Sequence, residues 1–145
     1  MSIKTSPFEI KISNKPVGYK KAVNFLEDRV LKVHANLEKE LIWILEHDSI
    51  YTKGISASNN DLLMPNLFPV IETNRGGKFT YHGPGQKIIY FVINLNKREK
   101  EIKAFVDLIT PKTTIKYADA VYRHRNNVYS SVYTCRQRQA KPEKQ

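Results

Sequence analysis

Of the chain's six glycines, four lie within twelve residues, Arg75 to Gln86, in the run RGGKFTYHGPGQ. Glycine permits positive φ and lets other groups approach the main chain closely. The sharpest turns and tightest backbone contacts are therefore expected in one short segment. Gly76-Gly77 and Gly83-Pro84-Gly85 each suit a tight turn at the end of a short strand, KFTYH. One reading is two hairpin turns and nothing more. The functional reading is a slot between two glycine turns, walled by Tyr81 and His82 and anchored by Arg75. A phosphate-cradling loop is not indicated, since neither G-x-G-x-x-G nor G-x-x-x-x-G-K-[ST] is present, and an RGG tract that occurs once is not an RNA-binding repeat.

The flanking sequence predicts strands and one long helix. FEIKIS (residues 8–13) alternates apolar and polar residues as a half-buried strand does. Tyr19, Val23, Leu26, Val30, Val33 and Leu37 then step by four and three, the spacing of an amphipathic helix. LIWIL (41–45) is a buried strand, and SIYTKGISASNNDLLMPN (49–66) reads as irregular. FPVIET (68–73), KFTYH (78–82) and KIIYFVINL (87–95) are strands joined by glycine turns, which predicts a three-stranded meander. REKEIKAFVDLI places Ile102, Phe105, Val106 and Ile109 at helical spacing, and Pro111 cuts that helix short. Beyond Pro111, Tyr and Val are scattered without sustained periodicity, and weak order is expected.

Composition narrows the function. The 145 residues suit one domain. The longest apolar run, Ile88 to Ile93, is far short of the ~20 residues a membrane helix needs, and MSIKTSPFEI lacks the apolar region of a secretion signal. A cytoplasmic protein without membrane contact is expected. The single cysteine, Cys135, excludes an internal disulfide and a thiolate metal cluster. Zinc is not indicated, because His34, His47, His82 and His124 stand far apart and none pairs with another at ligand spacing. The net charge of +10 invites a nucleic-acid reading. Its distribution weakens that reading: residues 1–107 hold 16 Lys+Arg against 12 Asp+Glu, whereas residues 108–145 hold 8 against 2. The excess sits in the tail, and no nucleic-acid-binding module is present.

The pattern R-G-G-x-x-T-Y-H-G-P-G-Q followed by an apolar strand closely resembles the signature of the octanoyltransferases, the lipoyl(octanoyl) transferases of lipoate biosynthesis. LEHDSIYTKG, Leu45 to Gly54, is similar to the stretch in which Glu-His precedes a Tyr-Thr-x-Gly turn in that family. The resemblance covers roughly residues 8–107. It implies an α+β fold, a mixed β-sheet with flanking helices of the biotin/lipoate protein ligase (class II synthetase-like) kind, here incomplete. It implies transfer of an octanoyl group from octanoyl-acyl carrier protein to a lysine of lipoyl domains, in 2-oxoacid dehydrogenase complexes and the glycine cleavage H protein, without ATP or another cofactor. It also implies that Arg75, Gly76, Gly77, Lys78, Phe79, Thr80, Tyr81 and His82 line the acyl-substrate pocket. Lys78 and Phe79 fall at the variable positions.

The resemblance further implies a nucleophilic cysteine in a Pro-Cys-Gly context and a lysine in a Gly-x-Lys-Ile-Ala context that lowers its pKa. Neither segment occurs in the sequence. Cys135 stands in Tyr-Thr-Cys-Arg-Gln, and the catalytic role is not carried over to it. Charge, arginine usage and periodicity all change near Asp107. The expectation is therefore a partial catalytic domain over 1–107, followed by a basic, non-homologous tail over 108–145 translated from a shifted frame. Such a chain is expected to be inactive and to leave strand edges and apolar faces uncovered. The alternative is a non-catalytic remnant that still binds acyl carrier protein or a lipoyl domain.

Overall fold

A computed structural model describes residues 6–97 and, as strands, residues 117–123 and 128–136. Strand β1 (Phe8–Ile12) runs parallel to β2 (Glu40–Leu45), with Ile10 opposite Ile42, and helix α1 (Tyr19–His34) makes the crossover between them. A parallel pair requires such a crossover. β3 (Ile50–Lys53), β4 (Val70–Glu72), β5 (Phe79–His82) and β6 (Gln86–Asn94) follow. β6 returns antiparallel to β2, with Leu41 opposite Val92 and Leu45 opposite Ile88.

Leu41, Trp43 and Leu45 of β2 alternate toward α1, as do Ile88, Tyr90 and Val92 of β6. They meet Ala22, Leu26, Val30 and Val33 of the helix to form the main core. The helix stops because Asn36 takes a left-handed φ of 56°. Asn36 N–H then donates to the Val33 carbonyl at 3.1 Å and Leu37 N–H to the Lys32 carbonyl at 2.9 Å, a paired closure of the last turn. Leu37, the last member of the predicted apolar stripe, therefore lies beyond the helix and is 76% exposed. Arg29, buried on the helix's inner face, is held at 2.7 Å by Glu9 of β1 and at 2.7 Å by Glu38.

Two expectations from the sequence are corrected. The predicted meander does not form: β3 lies between β4 and β5, parallel to the first and antiparallel to the second, while β6 joins the other sheet. The missing element was β3, four residues inside a stretch read as irregular. Its alternation is nonetheless visible in burial, with Ile50 and Thr52 inside and Tyr51 and Lys53 half-buried. The second correction concerns the tail. β7 (Tyr117–Arg123) and β8 (Val128–Arg136) extend the first sheet to the order β1-β2-β6-β8-β7, and β8 pairs with the whole of β6. VYSSVYTC is rich in β-branched and aromatic residues, which favour a pleated surface even without strict apolar alternation. The helix expected over residues 102–109 lies outside the described residues.

The fold agrees with the expected mixed-sheet α+β class. Among the described residues no helix is long and apolar enough to cross a membrane.

Candidate functional site

The glycine-rich segment and the Tyr-Thr-x-Gly turn, twenty residues apart in sequence, are locked together through their backbones. Gly54 N–H donates to the Lys78 carbonyl at 2.9 Å, Ile55 N–H to the Arg75 carbonyl at 3.0 Å and Ser56 N–H to the Gly77 carbonyl at 3.2 Å. The fit leaves no room for a side chain at position 54, where a Cβ would overlap the Gly77 carbonyl. Gly77 itself has φ +83°, a conformation open chiefly to glycine.

Arg75 secures the loop from inside. It is buried, and its Nη2 donates to the Thr52 carbonyl at 2.7 Å, to Thr52 Oγ1 at 3.0 Å and to the Lys78 carbonyl at 2.8 Å. Its Nη1 donates to the Gly76 carbonyl at 3.0 Å and its Nε to Thr52 Oγ1 at 3.3 Å. A planar fork of five donors suits this cage of oxygens. The anchor inferred from sequence is thus an anchor for the loop: each guanidinium nitrogen already serves a protein oxygen.

Strand β5 divides the remaining residues between two faces. Adjacent strand residues point to opposite sides, so Tyr81 and His82 do not wall a common slot, contrary to the sequence-based expectation. Tyr81 packs with Tyr51 and Phe68, at ring-centroid distances of 5.9 and 5.3 Å, and its hydroxyl lies 3.1 Å from Ser49 Oγ. Its ring also covers Gly83, where a Cβ would overlap it. His82 faces inward with Thr80, stacks on Tyr19 at 6.0 Å and meets His47 edge-on at 5.8 Å. Gly76, Gly77 and Lys78 are exposed, Phe79 and Thr80 half-buried. Lys78 Nζ pairs with Asp61 at 2.7 Å, closing the loop's outer side.

His47 was not predicted as a site residue, yet, far from His82 in sequence, it meets it in the fold. Sequence distance concealed the meeting, because β2 and β5 belong to different sheets. The only signal was the Glu-His dipeptide at the end of β2. His47 is fully buried. Its Nδ1–H donates to the Val17 carbonyl at 2.5 Å, since a carbonyl only accepts, and its Nε2 accepts from the Tyr90 hydroxyl at 2.7 Å. Burial pushes its pKa down, so the neutral ring is the stable form. His82 is pushed down to about 4, first by burial, then by the repulsion that protonating it alongside His47 would create and by the Arg75 charge. Glu46 supports the second glycine turn: its carboxylate accepts from Gly85 N–H at 3.0 Å and pairs with Lys87 at 2.8 Å. In that turn Gln86 N–H donates to the Gly83 carbonyl at 3.1 Å, with Pro84 second and Gly85 third at φ +81°. This is the residue placement of a type II turn.

A separate open groove of about 510 Å³ lies at the other end of α1, lined by Pro7, Leu37, Glu38, Lys39, Glu40 and Lys97. It shares no residue with the glycine-rich segment. Among the described residues no group of three or more His, Cys, Asp or Glu side chains is placed to hold a metal ion.

The fold is shared with solved structures. A structure of lipoate-protein ligase A bound with ATP superposes with a TM-score of 0.57 at 13% identity, covering 91% of this chain and 68% of that one. P. falciparum LipL1 in complex with lipoate gives 0.53 at 12% identity, over 88% of this chain and 47% of that one. The sequence places it further. Residues 20–131 match the lipoyl protein ligase A/B catalytic domain, and the chain belongs to that family. Among curated relatives, the octanoyltransferase of Bartonella bacilliformis is 48% identical over 103 residues, 71% of this chain and 43% of that protein. That of Ehrlichia canis is 51% identical over 92 residues, 63% of this chain and 43% of that protein. The chain spans less than half the length of these curated relatives.

Proposed function

We propose that this chain carries the acyl-binding part of an octanoyltransferase, an enzyme that moves an octanoyl group from octanoyl-acyl carrier protein to a lysine of a lipoyl domain in the cytoplasm. Residues Arg75 to His82 form the acyl-binding element. The observation that carries this reading is the locked loop. Arg75 and Gly54 fix the backbone of Gly76-Gly77-Lys78 at the surface, and nothing lies within 4 Å of a Cβ built on Gly76. An acyl thioester needs such a side-chain-free, preorganised backbone beside apolar surface. The names of the curated relatives support octanoyl transfer in preference to ATP-dependent ligation.

The reading assigns binding to this chain and not turnover. The Pro-Cys-Gly and Gly-x-Lys-Ile-Ala segments that the resemblance implies are not in its sequence. The change of composition near Asp107 is part of the same proposal, as a change of coding frame; translating the gene in its other two frames tests it. For the function itself, the full chain is titrated with octanoyl-acyl carrier protein and followed by mass spectrometry. Saturable binding without an acyl-enzyme on Cys135 is expected. An acyl adduct on Cys135 would overturn the non-catalytic part, and no binding of either the carrier protein or a lipoyl domain would overturn the whole.

A further inference from the structure

Three buried side-chain polar atoms stand without a hydrogen-bond partner among the described residues: Arg29 Nε, His82 Nδ1 and Gln86 Oε1. Arg29 Nε still faces the Glu38 carboxylate at 2.7 Å, so its charge is met. The other two are the first and last residues of HGPGQ. A buried polar atom left unpaired is costly, and native interiors avoid it. Two within five residues, unmatched among the described side chains, mark a place where a bound group could be held. The crest between them, Pro84-Gly85, is exposed, and the two buried residues flank it on the two legs of one turn. Glu46 and the Gln86-to-Gly83 hydrogen bond hold that turn rigid.

Neighbouring groups do not answer the need. Both ring nitrogens of His47 are engaged, one by Val17 and one by Tyr90, and each nitrogen of the Arg75 guanidinium already serves its own loop. The chemistry of the missing group can be narrowed. Gln86 Oε1 only accepts, so the ligand brings an N–H or O–H. The Arg75 charge beside His82 disfavours a cation. A single group carrying both a donor and an acceptor answers both open positions.

We propose that His82 and Gln86 form a two-point site for a secondary amide of the substrate, His82 Nδ1–H donating to the amide carbonyl and Gln86 Oε1 accepting the amide N–H. This rests on the acyl-pocket reading and adds Gln86 to it. Two substrates can supply the amide: the pantetheine arm that bears the acyl thioester, and the peptide backbone beside the acceptor lysine.

The test compares octanoyl-N-acetylcysteamine, which carries one amide, with S-butyl octanethioate, which carries none, by calorimetric titration of the full chain. The amide compound is expected to bind about tenfold tighter or more, because a site built to hydrogen-bond rejects the analogue that lacks the group. Gln86→Met, similar in volume and without the acceptor, removes that preference and leaves S-butyl octanethioate binding as before, which also reports that the variant is folded. Nα-acetyl-lysine methylamide forms the second arm. Gln86-dependent binding of that compound assigns the amide to the acceptor; Gln86-dependent binding of the cysteamine compound assigns it to the donor. Should Gln86→Met alter neither, the amide site is wrong. In the unsubstituted chain, a Gln86 side-chain amide signal that does not move on saturation rules out the site without a variant. Failure of both octanoyl compounds to bind the unsubstituted chain instead removes the acyl-pocket reading itself.

Discussion

Gly54 lies directly beneath the Gly77 carbonyl, close enough that a methyl group on Gly54 would overlap it, and its amide donates to the Lys78 carbonyl at 2.9 Å. Backbone against backbone cannot give way as a side chain can. Gly54→Ala is therefore expected to cost about 1–3 kcal/mol, the range for overpacking, and to displace the Arg75–Lys78 loop. Gly76, two residues before Lys78, has open space and no positive φ. Gly76→Ala is expected to stay within about 0.5 kcal/mol of the parent, as surface changes do. Urea unfolding of the two variants checks the contrast. Equal losses would show that the loop is not held by the Gly54 contact.

Arg75 invites a more severe test. Lysine keeps the charge but not the planar fork, so Arg75→Lys leaves at least one of the Thr52, Gly76 and Lys78 carbonyls without its donor. A loss of about 2–4 kcal/mol is expected, from hydrogen bonds to a charged group at ~1.5–3 kcal/mol each with partial rescue by the ammonium. Denaturant midpoints measure it, and full rescue by lysine would reassign Arg75 from loop clamp to simple positive charge.

His82 makes stability depend on pH in a stated direction. Its pKa is about 4 in the folded chain against an ordinary 6.5. Between those values the unfolded chain binds more protons, so stability falls as pH drops from about 6.5 to about 4 and is fully present above 6.5. The shift corresponds to about 3 kcal/mol across that window. His47, also pushed down by burial, adds in the same direction. Unfolding midpoints measured from pH 8 to pH 4 are expected to fall, and His82→Gln to flatten the curve. A rise toward acid would contradict the buried neutral cluster.

Arg29 ties β1, α1 and the turn after it through Glu9 and Glu38, each at 2.7 Å. Its removal strands two carboxylates that are partly exposed and can rehydrate. Arg29→Ala is therefore expected to cost about 1–3 kcal/mol, less than the loss of one partner from a fully buried pair. The Arg29 hydrogen bond holds the Glu9 pKa below the ordinary 4.5, so this contribution is present above 4.5 and fades below it. A thermal melt of the variant at pH 7 and at pH 3.5 separates the two: the deficit is expected to shrink at the lower pH.

The elements with their own local code were legible in the chain. Helix α1 announced itself by spacing, and its end lies at Asn36 because the backbone there turns left-handed, which no periodicity reveals. LIWIL and KIIYFVINL are strands for reasons contained in their residues. β3 was missed because four residues carry too little pattern, and with it went the pairing of β4 and β5. VYSSVYTC was missed because its propensity is carried by residue type and not by apolar alternation.

The sequence by itself determined where the chain must turn tightly, which residues could make a core, and, through RGGKFTYHGPGQ, which family it belongs to. Those properties depend on neighbours a few residues away. Tertiary structure alone decided that Gly54 must be bare, that Arg75 holds its own loop, that Tyr81 and His82 face opposite ways, and that His47 meets His82. Each depends on strand pairing between distant segments. The pairing is fixed by which faces can be buried together, a choice made by the whole fold and written in no single stretch of it.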